Sequence, residues 1–333
     1  MTIEITFNDR TYPVHEGESV LDGLERHGVA VPSSCRNGVC QSCLMRATSG
    51  EVPASAQSGL KPTQKERGYF LACQFKPTGN VTVALPDAAD QRRFTARVVE
   101  KTRLNPTVSR IRLSKPQDFQ FKAGQFMRVY RDGESRSYSI ASMPQQDYLE
   151  LHIKVFPGGH FSSWLCQTVQ VGEELTIGEA TGDCFYLADN LDQPLLMIAT
   201  GTGLAPLWGV VRDALAQGHR GEIHIFHGSY VRDGLYYMDE FAALAAKFPN
   251  VRYYPCVSDD PTESQALRGQ ADVQALKHFP KLNGWRLYLC GNPDMVNTMK
   301  RKAFLAGASL KDILADPFIV TVPRQELPEA PAA

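Results

Sequence analysis

The sequence has no long apolar run: stretches such as Leu195 to Ala199 are far too short to cross a bilayer. It has no basic tract either. Its 35 Lys and Arg stand against 36 Asp and Glu, a formal net charge of -1, which argues against a nucleic-acid partner. The first residues, Met1-Thr2-Ile3-Glu4-Ile5, alternate like a strand and lack the basic head and apolar core of an export signal. A cytoplasmic protein with no membrane partner is therefore expected. Cysteine is scarce, 8 in 333 residues, which without an export signal speaks against a disulfide framework.

Four of those cysteines are nevertheless ordered. Four residues separate Cys35 from Cys40, two separate Cys40 from Cys43, and twenty-nine separate Cys43 from Cys73. This is the plant-type spacing for a [2Fe-2S] cluster, which needs four thiolates. A zinc site would favour paired C-x2-C knuckles instead. Gly38 can take a positive φ, and small Ser34 and Ser42 let backbone amides approach the sulfides. Residues 1 to 90 thus resemble a plant-type ferredoxin domain, which implies a β-grasp fold with Cys35, Cys40, Cys43 and Cys73 as metal ligands. Gln41 departs from the Gly that many members carry and puts mild strain on the loop.

The chain has room for two or three domains, each with its own core. A hairpin at Thr2 to Val14 and a helix capped at Ser19 precede the cysteine loop, and residues 49 to 67 read mostly as loop. The polar stretch Asp87 to Arg93 marks a boundary. Six short strands follow between Thr95 and Gly178, a density that suggests an antiparallel barrel over residues 92 to 190. From Leu195 the pattern alternates strand and helix, which means a parallel sheet covered on both faces over residues 191 to 323. Residues 324 to 333, rich in Pro, Glu and Ala, read as a disordered tail.

In the barrel region, the strand Arg136-Ser137-Tyr138-Ser139 presents Arg136 and Tyr138 on one face, a guanidinium fork suited to a pyrophosphate and a ring suited to a flavin. Further on, Pro157-Gly158-Gly159-His160-Phe161-Ser162 is a glycine turn before a helix expected to run through Trp164 and Leu165. Its unhindered amides suit the same pyrophosphate. Together these motifs resemble the FAD-binding barrel of the ferredoxin-NADP reductase superfamily. The resemblance implies that Arg136 contacts the pyrophosphate, Tyr138 lies against the isoalloxazine and Ser139 bonds near its N5. It also places His152, Ile153 and Lys154 along the flavin and its adenosine. FAD is expected rather than FMN because the ferredoxin domain comes first.

Gly201-Thr202-Gly203-Leu204-Ala205-Pro206 follows a buried strand and opens a helix. Pro206 replaces the third glycine of the dinucleotide fingerprint, yet two glycines still admit a pyrophosphate and Pro206 presets the first turn. Cys290-Gly291-Asn292-Pro293 ends a later strand, and the topology places both loops on one crevice. The resemblance implies that Cys290 borders the nicotinamide C4 as a positioning residue, and that Phe318, after Ala315-Asp316-Pro317, covers the far face of the flavin. Asp233 is the expected reader of a ribose 2′-hydroxyl, hence NADH, while Arg232 would suit the 2′-phosphate of NADPH. Cys166, Cys184 and Cys256 read as small core residues.

The whole chain resembles the reductase components of multicomponent bacterial oxygenases, of the benzoate dioxygenase reductase type. The resemblance implies electron flow from NADH through FAD and the cluster to a Rieske or di-iron oxygenase or another ferredoxin; the rim Asn37 to Ser42 is the expected exit, because tunnelling decays steeply with distance. A reductase of deoxysugar biosynthesis and a slow redox sensor share this domain content and stay open as alternatives.

Overall fold

The computed structural model describes residues 3–33, 35–38, 41–60, 62–86, 92–156, 158–260 and 265–318. Cys40, Ser34, Pro157, the boundary stretch 87–91 and the tail 324–333 lie outside the described residues. Three sheets organise the chain, one for each expected region.

The first sheet holds β1 (Ile3–Phe7), β2 (Arg10–Val14), β3 (Leu44–Ser49), β4 (Tyr69–Leu71) and β5 (Val81–Ala84) in the order β2-β1-β5-β3-β4. It is mixed: β1 pairs antiparallel with β2 and parallel with β5. Asn8 and Asp9, at φ 50° and 60°, make the tight hairpin turn that joins β1 to β2. Helix α1 (Val20–Arg26) begins where the Ser19 hydroxyl accepts the Asp22 amide at 3.1 Å, and it buries Leu21 and Leu24 against Ile5, Met45 and Phe70. The segment read as loop contains a helix, α2 (Pro62–Glu66), because Pro62 at its first position supplies helical φ where no amide donor is needed.

The second sheet is antiparallel throughout: β6 (Arg93–Arg103), β7 (Val108–Ser114), β8 (Phe126–Arg131), β9 (Glu134–Ser139), β10 (Tyr148–Lys154) and β11 (Glu174–Gly178), ordered β10-β7-β6-β11-β8-β9. A bridge between Ile140 and Leu151 brings its two edges together and closes the barrel. Helix α3 (His160–Ser163) packs Phe161 into the barrel core and continues as a π-turn over Trp164–Thr168, not as the regular helix expected there.

The third sheet is parallel: β12 (Leu195–Thr200), β13 (Ile223–Ser229), β14 (Val251–Val257), β15 (Leu267–Arg268), β16 (Arg286–Gly291) and β17 (Ile313–Pro317), ordered β15-β14-β13-β12-β16-β17. Leu195, Met197 and Ala199 pack towards α4 (Leu204–Ala216) and α5 (Met238–Lys247). Leu196 and Ile198 pack on the other side with α6 (Ala271–His278) and α7 (Pro293–Leu305). The chain leaves β12 in both directions, so the crevice between the ends of β12 and β16 is the topological switch point. Among the described residues no helix is long and apolar enough to cross a membrane.

Polar contacts join the units. Arg46 and Arg67 of the first both reach Glu179 of the barrel at 3.3 Å, Arg67 donates to the Thr181 hydroxyl at 2.8 Å, and Lys122 pairs with Glu66 at 2.8 Å. The barrel meets the third unit where Arg212 donates to the Ala141 carbonyl at 2.6 Å and Asn105 to the Gly234 carbonyl at 3.0 Å.

Candidate functional site

The cysteine loop is built as a sulfur cradle. The Cys43 and Cys73 sulfurs lie 3.3 Å apart, and the Asn37 amide donates to the Cys35 sulfur at 3.4 Å. Gln74 ties the two ends of the site together, donating to the Arg36 carbonyl at 3.1 Å beside Cys35 and to the Cys73 sulfur at 3.5 Å. Arg36, Gly38 and Gln41 all take positive φ, Gln41 at 59°, as expected for a residue standing where a glycine would be unstrained. Burial and the adjacent Cys73 push the Cys43 thiol up to about 11. Two such close sulfurs ionise together only beside a cation, so the donor set fits an iron cluster and would hold it through Cys35, Cys43, Cys73 and, beyond the described residues, Cys40.

On β9, Arg136 and Tyr138 share a face, and both meet Phe161 of α3: the Arg136 guanidinium is 5.6 Å and the Tyr138 ring 6.3 Å from its centroid. The structure thus brings the strand and the glycine turn together. Gly158 takes φ 75° with open space around it, and Gly159 precedes the helix with no side chain capping its first amides. Ser162 turns its hydroxyl back towards Gly159. This end of the barrel fits a pyrophosphate on Arg136 and the turn, and a planar ring on Tyr138.

Four residues of the expected flavin set sit apart from Arg136 and Tyr138. Ser137, by strand alternation, is exposed on the opposite face from Arg136 and Tyr138. Ile153 turns into the barrel core. His152 is buried at the junction with the third unit: its Nε2 is 3.1 Å from Glu150 and its Nδ1 3.1 Å from the Tyr236 hydroxyl, so both ring nitrogens are taken. Lys154 is exposed beside Phe156.

At the switch point the two expected loops are clasped. A Cβ on Gly203 would fall 2.3 Å from the Cys290 carbonyl oxygen, and one on Gly291, at φ 116°, would fall 2.5 Å from Thr200. Only glycine permits this approach. The Thr200 hydroxyl accepts the Asn292 amide at 2.9 Å, and α4 opens at Leu204 with Pro206 in its first turn. Gly201, at φ 54°, faces open space and Thr202 is half-buried beside it. Asp233 is exposed on the short turn Arg232–Gly234, and a Cβ on Gly234 would fall 2.0 Å from the Ser229 hydroxyl, which would have to turn away to admit a side chain.

Ser139, Cys290 and Phe318 converge from separate elements. The Ser139 hydroxyl donates to Asp316 at 3.1 Å, Asp316 pairs with Cys290 across β16 and β17, and the Phe318 amide donates to the Gly291 carbonyl at 2.7 Å. Two members carry no site role in the sequence, where Cys184 reads as a small core residue. Cys184 is not an isolated core residue, since its sulfur lies 3.4 Å from that of Cys290. Asp316 lines, with Cys184, a cavity of about 400 Å³, and burial pushes its carboxyl from 3.8 up to about 6 against the pull of Ser139. Leu44, next to Cys43, lines the same cavity together with Gly124 and Gly182. The cavity therefore adjoins all three units, and its glycine-bordered walls fit a planar ring between the sulfur cradle and the nucleotide crevice.

Comparison with known proteins agrees with this division. The 2Fe-2S iron-sulfur cluster binding domain family matches residues 3–78, the oxidoreductase FAD-binding domain family residues 95–186, and the oxidoreductase NAD-binding domain family residues 197–301. The ferredoxin–NAD(P)(+) reductase component of the naphthalene 1,2-dioxygenase system of Pseudomonas putida is 32% identical over 326 residues, covering 96% of this chain and 98% of that one. The reductase subunit of an aromatic O-demethylase from Amycolatopsis is 32% identical over 89% of this chain and 92% of its own. Among solved structures, the Amycolatopsis cytochrome P450 reductase GcoB superposes with a TM-score of 0.67 at 29% identity, covering 95% of this chain and 99% of that one. The ferredoxin reductase in carbazole 1,9a-dioxygenase, at 20% identity and TM-score 0.63, shares the fold.

Proposed function

Because the chain belongs to the family of ferredoxin–NAD(P)+ reductase components of oxygenase systems, with 2Fe-2S, FAD-binding and NAD-binding domains, we propose that it carries electrons from NADH to a partner oxygenase or ferredoxin. It is an oxidoreductase. The observation that carries the reading is the cavity bordered by Leu44, Cys184 and Asp316, where the sulfur cradle, the barrel and the nucleotide crevice meet.

When bound, FAD accepts an electron pair as hydride and releases single electrons, while the cluster carries one electron at a time. The chain's own residues hold and orient these groups. Arg136 and the Gly158-Gly159 turn hold a pyrophosphate, and Tyr138 supports the ring face. Gly201, Thr202 and Gly203 hold the pyrophosphate of the nicotinamide nucleotide, with Pro206 fixing the helix behind them. Cys290, enclosed beside Cys184, shapes the place of the nicotinamide, and Phe318 closes the far side. Ser139 and Asp316 form a hydrogen-bonded pair in which the Asp316 carboxyl can hold or release a proton and the Ser139 hydroxyl orients it.

The relatives' named partners are a dioxygenase system and an O-demethylase, and this chain's partner is an oxygenase of the same kind, docking at the rim of Asn37 to Ser42. Exposed Asp233 supports NADH as donor; a kcat/KM favouring NADPH would contradict this. Sparse cysteine supports a cytoplasmic setting, with unit boundaries near residues 91 and 190. The test is NADH-dependent reduction of cytochrome c by protein loaded with iron, sulfide and FAD. Cys43→Ser is expected to lose this reduction while keeping that of ferricyanide; no reduction of either acceptor by the loaded wild type would overturn the reading.

A further inference from the structure

His227 stands at the carboxyl end of β13, fully enclosed, and carries no role in the account above. Its Nε2 lies 3.3 Å from the carbonyl oxygen of Gly201, and its Nδ1 lies 3.0 Å from the Tyr253 hydroxyl. A carbonyl can only accept, so Nε2 carries the proton; Nδ1 is then bare, and the Tyr253 hydroxyl donates to it. The ring of Tyr236 packs edge-on against His227 at 5.5 Å and 81°. Burial pushes the imidazole down to about 4, so it is neutral in a neutral solution and acts by direction, not by charge.

The Gly201 carbonyl also accepts the Leu204 amide in the turn that opens α4. Two donors thus hold one carbonyl of a left-handed glycine. In a trans peptide the carbonyl and the following N–H point opposite ways, so fixing the Gly201 oxygen inward fixes the Thr202 N–H outward, into the crevice. No side chain caps this turn.

We propose that His227 is a positioning residue for the nicotinamide nucleotide: its Nε2–H, with the tautomer set by Tyr253, locks the Gly201–Thr202 peptide so that the glycine loop presents amide donors to the pyrophosphate. This rests on the assignment of Gly201-Thr202-Gly203 to that pyrophosphate.

The experiment titrates NAD+ calorimetrically into the full, FAD- and cluster-loaded protein, alongside steady-state kinetics, for wild type, His227→Phe, His227→Gln and His227→Asn. Gln can place an amide nitrogen where Nε2 stands; Asn reaches only as far as Nδ1. In His227→Phe and His227→Asn, Kd for NAD+ and KM for NADH should both rise roughly five- to tenfold, the worth of one buried hydrogen bond, with kcat within about twofold. His227→Gln should stay within about twofold of wild type. Should His227→Phe not fold, the Gln and Asn pair decides alone. Equal affinity in all variants, or equal loss in Gln and Asn, would overturn the role of His227. Failure of the wild type to bind NAD+ would instead overturn the assignment of the loop.

Discussion

Ser139 and Asp316 form the one contact at the candidate site that joins a flavin-strand hydroxyl to a raised carboxyl. If Asp316 stores a proton beside the reacting groups, Asp316→Asn should lower kcat by about a hundredfold or more, within the range of positioned acid–base groups, and flatten the pH profile near 6. An unchanged kcat and profile would leave the pair a packing feature. The stability consequence has a fixed sign. A carboxyl raised from 3.8 to about 6 binds its proton more tightly in the folded state, so stability falls as pH rises through that window and is flat above it. Asp316→Asn removes this cost, so at pH 8 denaturant unfolding should find the variant more stable by up to about 3 kcal/mol. At the same scale, Gly203→Ala drives a Cβ against the Cys290 carbonyl and should weaken NAD+ binding by parting the two loops, read as a raised Kd. The cysteine pattern was legible because one loop sets the spacing of Cys35, Cys40 and Cys43, with Cys73 thirty residues on. Ser139 and Asp316 are 177 residues apart, and only the packing of β17 beside the barrel brings them together. Cys184 reads as a core residue in the sequence, and its approach to Cys290 goes unseen there for the same reason.

Strand β10 shows how an element can be legible while the surroundings of its side chains are not. Its alternation was plain, but its polar face turns to the third unit, where Glu150 accepts from Arg112 at 2.8 Å and from the Tyr237 hydroxyl at 3.1 Å. Tyr237 itself takes φ 59°, a conformation costly for an aromatic residue and held by this buried network. Burial works to raise Glu150, but His152 and Arg112 together bring its carboxyl down to about 2. A depressed carboxyl stabilises above its unfolded pKa, so this contribution is full above pH 4.5 and is lost as pH falls towards 2. Glu150→Gln should therefore unfold more readily at pH 7 and show a shallower acid dependence between pH 5 and 3; an unaltered acid limb would place the linkage elsewhere. Helix α2 was hidden in a stretch of Gly, Pro, Ser and Lys because its five residues are too few for a periodic pattern, and its place is set by contacts with the barrel.

At the scale of the whole molecule, the sulfur-bearing unit is joined to the barrel by ion pairs more than by a shared apolar core. Arg46 and Arg67 converge on Glu179, each about one-fifth exposed, and Lys122 reaches Glu66 at the rim. Such contacts weaken with salt. Glu179→Ala, or raised ionic strength, should slow reduction of cytochrome c, which draws on the cluster, while ferricyanide reduction at the flavin holds steady. A parallel fall in both would mean that the junction does not carry the transfer. Domain order and sheet type were legible because each unit has its own strand pattern, whereas the junction, made of single long side chains, leaves no periodic trace.

The central claim is that one chain takes electrons in pairs from a nicotinamide nucleotide and passes them singly to a cluster. Anaerobic titration of the fully loaded protein with NADH, followed by visible absorption and electron paramagnetic resonance, tests it most directly. Uptake of about three electron equivalents is expected, two at the flavin and one at the cluster, with the signal of a reduced [2Fe-2S] centre growing in. Bleaching of the flavin after about two equivalents, with the cluster left oxidised, would contradict it.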